Sequence, residues 1–414
     1  MKKILYSVFM LATMVLAACS SDDTTEPDVK RGMVLKANVE DTNTRATITD
    51  NEGKWTFAFA TGDVVKVGND KVESYYTFTK NGTEFASTDA MQTTAAANWY
   101  AYFPSETIDL TNQSGNFADV ANKYALAGAT ASATTGSEGL TVTMKAKAAV
   151  LCIVGVKKDE KLDINVKTAG DKYVSGLDAV KNSADFSVKT SDEKVSLLSK
   201  QEAGVYYVVV PADVKLAVYN GSKLMKSTKE AGLTAGKYYT LKTGETTGKA
   251  FATIDGVEKE KEWVQLWPGG PKFATENVAE KINFTEACKT GEAYVWGKNW
   301  RTPKGEELAP LYKEYAVNTE NVSAVYKQSN GSYGIEFTGV QHGYTNNKIF
   351  LHGEGKMDAT GGQWTYLTST DNKNSKTWNF YFLVAEHENG LRIFIYENEN
   401  YTTSKYMVRP VLAE

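Results

Sequence analysis

Between residues 32 and 245, apolar and polar positions alternate with a period of two in one short run after another. Met33, Leu35, Ala37 and Val39 alternate with other residues at the start, which predicts a half-buried strand. Trp55, Phe57 and Phe59 repeat the pattern, and Gly62-Asp63 turns the chain into Val64-Val65-Lys66-Val67. Further β runs cover residues 75–78 and 99–104. Residues 112–140 are polar, rich in Gly, Ser, Thr and Ala, and weakly patterned. They are expected to form long loops with one or two short strands. A second block opens where Leu140, Val142 and Met144 alternate. Residues 148–156 are almost continuously apolar, as in a strand buried on both faces. Strands follow at 162–166, 195–198 and 205–210, the last ending at Pro211, which has no N–H to give to a ladder. Residues 215–219 run into Asn220-Gly221, the strongest short hairpin signal in the chain. Residues 233–241 close the block.

The pattern changes after residues 244–248 (Gly-Glu-Thr-Thr-Gly), which read as a polar hinge, with 246–261 as linker. Six of the eight tryptophans follow: Trp263, Trp267, Trp296, Trp300, Trp364 and Trp378. The centre of this part is residues 295–308. Trp296, Trp300 and Arg301 precede a helix start, with Thr302 as expected N-cap and Pro303 in the first helical position. Glu306 and Glu307 sit at the positive end of the helix dipole. Leu308, Leu311, Tyr312 and Tyr315 follow at helical spacing, interrupted by Pro310, which should bend or shorten the helix. Asn277 and residues 284–288 suggest a second helical stretch. Strands are expected at 333–337, 348–351, 364–370, 378–384, 391–396 and 407–412.

A length of 414 residues accommodates two or three domains. The division read here is a signal segment 1–19, a flexible tether 20–31, β-domains at 32–139 and 140–245, the linker 246–261, and a C-terminal domain 262–414. The formal net charge of −4 leaves no general basic surface for nucleic acid. The N-terminus carries Lys2 and Lys3, then a hydrophobic run over residues 4–16 that is short for a membrane span, then Leu16-Ala17-Ala18-Cys19. This resembles a bacterial lipobox, in which Cys19 is lipidated and anchors the chain to the outer membrane; each buried methylene adds about 0.8 kcal/mol. Ser20-Ser21-Asp22-Asp23 resembles the acidic tag that sends lipoproteins of Bacteroidales to the outer face of that membrane. The remaining cysteines, Cys152 in an apolar strand pattern and Cys288 in a helical one, are expected as buried free thiols.

The chain shows no catalytic constellation. His342, His352 and His387 are its only histidines, and none has metal-site spacing. There is no P-loop, no GxGxxG after a strand and no GxSxG. Glu354, Asp358 and Asp371 are scattered acids of a type that can ligate Ca²⁺, but the tripeptides of calcium-dependent lectins are absent. The reading is therefore not an enzyme, with no cofactor and no metal. The Gly-, Asn- and Thr-rich stretch 333–374 carries interspersed aromatics suited to recognition. Its candidate ligand contacts are Tyr344, His352 and Trp364, and Trp364 also reads as a core residue.

Several features in order resemble the fimbrillin-type pilins of Bacteroidales: the lipobox, Thr44-Arg45-Ala46, Trp55 with Gly62-Asp63, and Trp99-Tyr100-Ala101-Tyr102-Phe103-Pro104. Tyr206 to Pro211 and Ala235-Gly236-Lys237-Tyr238-Tyr239-Thr240 extend the match. The resemblance covers about residues 33 to 243 and implies two transthyretin-like β-sandwich domains. It also implies that an Arg-specific protease cuts between Arg45 and Ala46, with Arg31 the second choice. The cut releases the first strand, and a neighbouring subunit fills the groove with its own.

Residues 262–412 resemble a domain common in secreted Bacteroidetes and Fibrobacter proteins. The match runs through 273–278, 297–308, 364–370 and the closing Val408-Arg409-Pro410-Val411. It implies an α+β C-type-lectin-like fold in which Arg301 and Arg409 are structural hydrogen-bonders. The related formylglycine-generating enzymes need a pair of cysteines, whereas this domain holds only Cys288. The chain is thus expected to be mainly β: two transthyretin-like β-sandwich domains followed by an α+β C-type-lectin-like head. The implied function is a fimbrial subunit, a tip adhesin, whose partners are other fimbrial subunits by donor-strand insertion and a host or bacterial surface glycan or protein. The alternative is a non-polymerising surface lipoprotein that binds glycans or proteins.

Overall fold

The computed structural model describes residues 34–39, 49–51, 54–56, 59–87, 97–133, 139–228, 231–283, 285, 294–311, 318–329, 332–353, 362–371, 376–387, 390–401 and 405–413. These residues are mainly β and form several sheets, consistent with β-sandwich domains. The first ten strands are β1 (Val34–Val39), β2 (Thr49–Asn51), β3 (Lys54–Thr56), β4 (Val64–Asn69), β5 (Val72–Asn81), β6 (Glu84–Ala86), β7 (Ala97–Phe103), β8 (Thr107–Asp109), β9 (Leu126–Ala133) and β10 (Leu140–Ala146). A closed barrel forms in the order β1-β10-β9-β7-β4-β5-β6, while β2 and β3 pair with each other. Closure leaves no free sheet edge. The period-two pattern aims Val65, Val67, Phe78, Phe85, Trp99 and Ala101 inward, all buried.

The second group comprises β11 (Ala148–Val154), β12 (Leu162–Thr168), β13 (Tyr173–Ala179), β14 (Phe186–Ser191), β15 (Leu198–Lys200), β16 (Tyr206–Pro211), β17 (Leu216–Asn220), β18 (Lys223–Ser227) and β19 (Tyr238–Lys242). One sheet runs β16-β11-β19 and the other β14-β13-β12-β17-β18, with β15 on β12 and β8 on β13. Every residue of β11 is buried, as its unbroken apolar run requires. The Asn220-Gly221 turn joins β17 to β18, with Gly221 at φ 60°. In the loop region, residues 112–140 hold a single-turn 3-10 helix, Phe117–Asn122, and β9.

Two boundaries differ from the sequence division. Residues 140–146, assigned to the second block, are β10 and close the first barrel by pairing in parallel with β1. Conversely, β8 leaves the first block and pairs with β13. An alternating strand fits the face of either sheet; only its partners decide. One hydrophobic core consequently spans both groups, from Leu35 to Leu241. Tyr102 ties them further, sharing its hydroxyl proton between the carbonyls of Val180 (3.0 Å) and Ser183 (2.7 Å).

The third group comprises β20 (Thr247–Ile254), β21 (Val257–Gln265), β22 (Lys272–Ala274), β23 (Trp300–Arg301), β24 (Val322–Ser329), β25 (Ser332–Gly339), β26 (Lys348–His352), β27 (Gly362–Asp371), β28 (Lys376–His387), β29 (Gly390–Tyr401) and β30 (Val411–Leu412). Its sheets run β20-β21-β22-β30-β23, β24-β25-β26 and β27-β28-β29. Residues 246–261 are therefore not a linker. They form most of a long hairpin, β20–β21, closed by Asp255 (φ 53°) and Gly256 (φ 77°), both in the left-handed region that such tight turns require. An α-helix runs over Gly305–Leu308 and is continued by a 3-10 turn at Ala309–Leu311 through Pro310. No N–H is available at Pro310 to extend the α-pattern.

The joint between β11 and the third group is tight. Gly155 has φ 75°, and a Cβ there would overlap the carbonyl of Gly244. A Gly155→Ala substitution is expected to cost about 2 kcal/mol or more, from left-handed strain plus the backbone overlap. Chemical denaturation monitored by tryptophan fluorescence checks this; an unchanged midpoint would show that the joint yields freely.

Candidate functional site: the first-strand groove and the C-terminal unit

Two places carry the sequence-derived candidates: the position of β1 in the barrel, and the part of the chain built around Trp296 and Trp300. In the barrel, β1 lies between β10, parallel, and β6, antiparallel. Leu35 opposes Leu140 on one side and Phe85 on the other, and Ala37 opposes Val142. Leu35 is fully buried, while Ala37 and Val39 are only partly so. Burying one leucine contributes about 2 kcal/mol. On the outer side Lys36 and Glu84 form an ion pair at 3.7 Å, with both side chains about half exposed, a geometry that adds little. The strand is thus short and anchored mainly by one side chain and its ladders. Its withdrawal would uncover the full edge of β10 and the buried Phe85, Leu140, Val142 and Met144. Cys19, Arg45 and Ala46 lie outside the described residues.

Trp263, Trp267, Trp296 and Trp300 are core residues. Trp296 and Trp300 meet edge to face at 5.7 Å between ring centres, buried with Trp263, Ala252 and Ala274. Trp300 Nε1 donates to the carbonyl of Phe251 at 3.1 Å, which ties β23 back to β20. Lys261 and Lys272 lie over the faces of Trp296 and Trp263.

Arg301 reaches Glu307 with two parallel hydrogen bonds, Nη1–Oε2 at 2.7 Å and Nη2–Oε1 at 2.5 Å. The same carboxylate accepts the Lys304 N–H at 2.7 Å and so caps the helix. Burial pushes the Glu307 pKa up, but the Arg301 pair and the Lys304 N–H outweigh it and hold the group below the usual glutamate value. Thr302 is not the N-cap. It is fully buried, and its hydroxyl makes no hydrogen bond within the described residues; Lys304 occupies the cap position instead.

Arg409 is buried among the strands, donating to the carbonyls of Ala274 (3.1 Å) and Phe350 (2.5 Å). Burial lowers its pKa, while the Tyr366 ring oxygen and Glu276 pull the other way. Tyr366, also buried, accepts from Asn277 Nδ2 at 2.8 Å and donates to the carbonyl of His352 at 3.2 Å. Arg409 therefore stitches β22 to β26.

The three ligand candidates separate. Tyr344 is fully buried in the turn after β25, so its ring offers no surface to a ligand. Burial raises its pKa to about 12. Gly343, beside it, packs so closely that a Cβ would lie 2.6 Å from Val154. This turn docks the third group onto the second through His342, which bonds Tyr238 and Thr240 at 3.0 Å each, and within the third group Asn347 donates to the carbonyl of Gln265 at 2.6 Å. The sequence pattern hid this role because polar, Gly-containing turns look alike whether they face solvent or a neighbouring sheet. His352 is exposed at the end of β26, edge to face with Phe350 at 4.6 Å. Burial and the nearby Arg409 charge lower its pKa. The Trp364 side chain lies outside the described residues, as do Glu354, Asp358 and Cys288. Among the described residues no group of three His, Cys, Asp or Glu side chains could hold a metal ion. Cys152 is buried and free.

No protein-family model matches the chain, and no curated protein matches it. Among solved structures, a proposed cell adhesion protein from Bacteroides ovatus aligns at 10% identity and TM-score 0.33, over 56% of this chain and 95% of its own. A proposed cell adhesion protein from Bacteroides uniformis aligns at 12% identity and TM-score 0.31, over 56% and 97%. A fimbrial protein from Bacteroides ovatus aligns at 13% identity and TM-score 0.28, over 94% and 100%. Likenesses this loose carry no argument about function.

Two titrations follow from this geometry. The lowered Glu307 pKa contributes stability that is present above the unfolded glutamate value of about 4.3 and is lost as pH falls through the folded value. Glu307→Gln should cost about 2 kcal/mol at neutral pH and flatten the acid limb of the stability profile. His352 has the same sign: its lowered pKa gives stability present above about pH 6.5 and lost on acidification. In His352→Gln the stability change between pH 7 and 5 (roughly the histidine range) should shrink. Thermal melts from pH 7 down to about pH 3 check both; unchanged profiles would refute the assigned electrostatics.

Proposed function

We propose that the chain is a surface fimbrial subunit that accepts a neighbour's strand in place of β1 and presents the third group of strands as an adhesive head. The observation that carries this reading is the position of β1. It is a lightly anchored strand laid between β10 and β6 of a closed barrel, and the segment that follows it contains the Arg45-Ala46 bond. Cleavage there would free β1 from the chain while leaving β4 to β10 connected. The exposed β10 edge and its apolar row would then bind an incoming strand by main-chain hydrogen bonds, with alternate side chains filling the vacated positions. Anchoring through Cys19 to the outer membrane belongs to the same proposal.

The tip position is supported by β30. Val411 is buried, and the strand lies between β22 and β23 inside a five-stranded sheet. It is an internal part of the head and not a spare strand for donation. The lectin-like character of the head rests on the sequence resemblance and on the Trp296, Arg301 and Arg409 framework. Its ligand is a glycan or protein of a host or bacterial surface, and His352 is the exposed candidate contact.

Mass spectrometry of the protein in sheared surface appendages tests the reading. An N-terminus at Ala46 with other subunits co-purifying is the expected outcome, and Arg45→Ala should abolish both. A lipidated Cys19 start throughout, with no partner, would overturn strand exchange and favour a stand-alone surface binder.

A further inference from the structure

A cavity of about 220 Å³ opens to solvent where residues 112–123 cross over β16. It lies in the first two groups of strands, and neither β1 nor the third group lines it. Its lining sets the polar side chains of Asn112, Ser114, Asn116, Asp119, Asn122 and Lys123 among a larger apolar surface, with Val120 and the ring of Tyr207. At about 30 Å³ per water, this is room for about seven waters. Drug-sized ligands occupy about 300 Å³ or more, so the space suits one small ring.

The walls are fixed before any ligand arrives. Gln113 is buried, donates to the carbonyls of Leu110 (3.0 Å) and Val209 (2.9 Å), and accepts the Val209 N–H at 2.8 Å. Its side chain thereby acts as a strand against the β16 edge. Gly115 lies against Leu198 and Tyr206, where a Cβ would come within 2.9 Å of each. Ser114 donates to Asp119 at 2.6 Å, and the Asn116 N–H donates to Ser114 at 3.1 Å. Lys123 donates to the carbonyl of Asp109 at 2.6 Å. Tyr207 is held edge to face by Phe117 at 5.0 Å.

The cavity carries one charge of each sign, Asp119 and Lys123, so its lining has no net charge to select an anion or a cation. What remains for a ligand, among the described residues, is the side-chain amides of Asn112 and Asn122, which bond to no protein group, beside an aromatic wall. Amides offer paired donors and acceptors to vicinal hydroxyls, and an aromatic face takes the C–H side of a sugar ring. We infer that this cavity binds a single neutral sugar residue, held by Asn112 and Asn122 against Tyr207. The inference does not depend on strand exchange or on the head.

The full chain is titrated with the methyl glycosides of glucose, galactose, mannose, fucose and N-acetylglucosamine by saturation-transfer NMR, up to roughly 10 mM, since single-sugar sites bind near millimolar. At least one glycoside is expected to bind with Kd of about 1 mM or tighter. Asn122→Ala and Asn112→Gly should each weaken it about tenfold with unchanged melting temperature; glycine tolerates the φ of 49° at position 112. If no glycoside in the panel binds, or if binding survives both substitutions in folded protein, the inference is overturned.

Discussion

The fully buried strand β11 is the constraint on which the rest of the molecule depends. All seven of its residues, Ala148 to Val154, are inaccessible to solvent. It pairs antiparallel with β16 and parallel with β19, so both of its edges are consumed as well as both faces. A strand of this kind cannot be left in water, and its burial draws the barrel and the second pair of sheets into one core. Its C-terminal end also fixes the third group, because Val154 packs against Gly343 and Gly155 against Gly244. Movement of β11 would be felt in all three parts of the chain.

The third group is organised differently. Its centre is a set of directional interactions laid over a tryptophan cluster. The Arg301–Glu307 fork joins β23 to the helix it precedes, and Arg409 bonds carbonyls on two strands that its own segment separates. A buried guanidinium is costly, and Arg409 Nε makes no hydrogen bond within the described residues, so these contacts specify one arrangement of the surrounding strands more than they add net stability.

Much of the architecture was legible from the sequence. Period-two alternation located the barrel strands, the unbroken apolar run located β11, and Asn220-Gly221 marked its hairpin. Asp255-Gly256, flanked by Ile254 and Val257, carried an equally direct hairpin signal; the charged alternation around it reads as linker because both faces of that hairpin's tip are exposed. Thr302 satisfied every local rule for an N-cap, yet the chain turns two residues later. There Glu307 can serve Arg301 and the Lys304 N–H together. Tyr344 had the composition of a recognition loop, but its turn is spent on holding two groups of strands together.

The sequence by itself determined many of the strands, which faces they bury, and that the tryptophan-rich part differs from what precedes it. Those properties depend on local periodicity and turn chemistry. The tertiary structure alone decided that β10 completes the first barrel, that β8 joins the second, and that polar residues 112–123 enclose a cavity. The reason is that an alternating strand is equally content in any half-buried sheet, and a polar loop carries no record of which neighbour it will cross. Long-range pairing, such as β1 with β10 or Gln113 with Val209, chooses between partners that local pattern leaves equivalent.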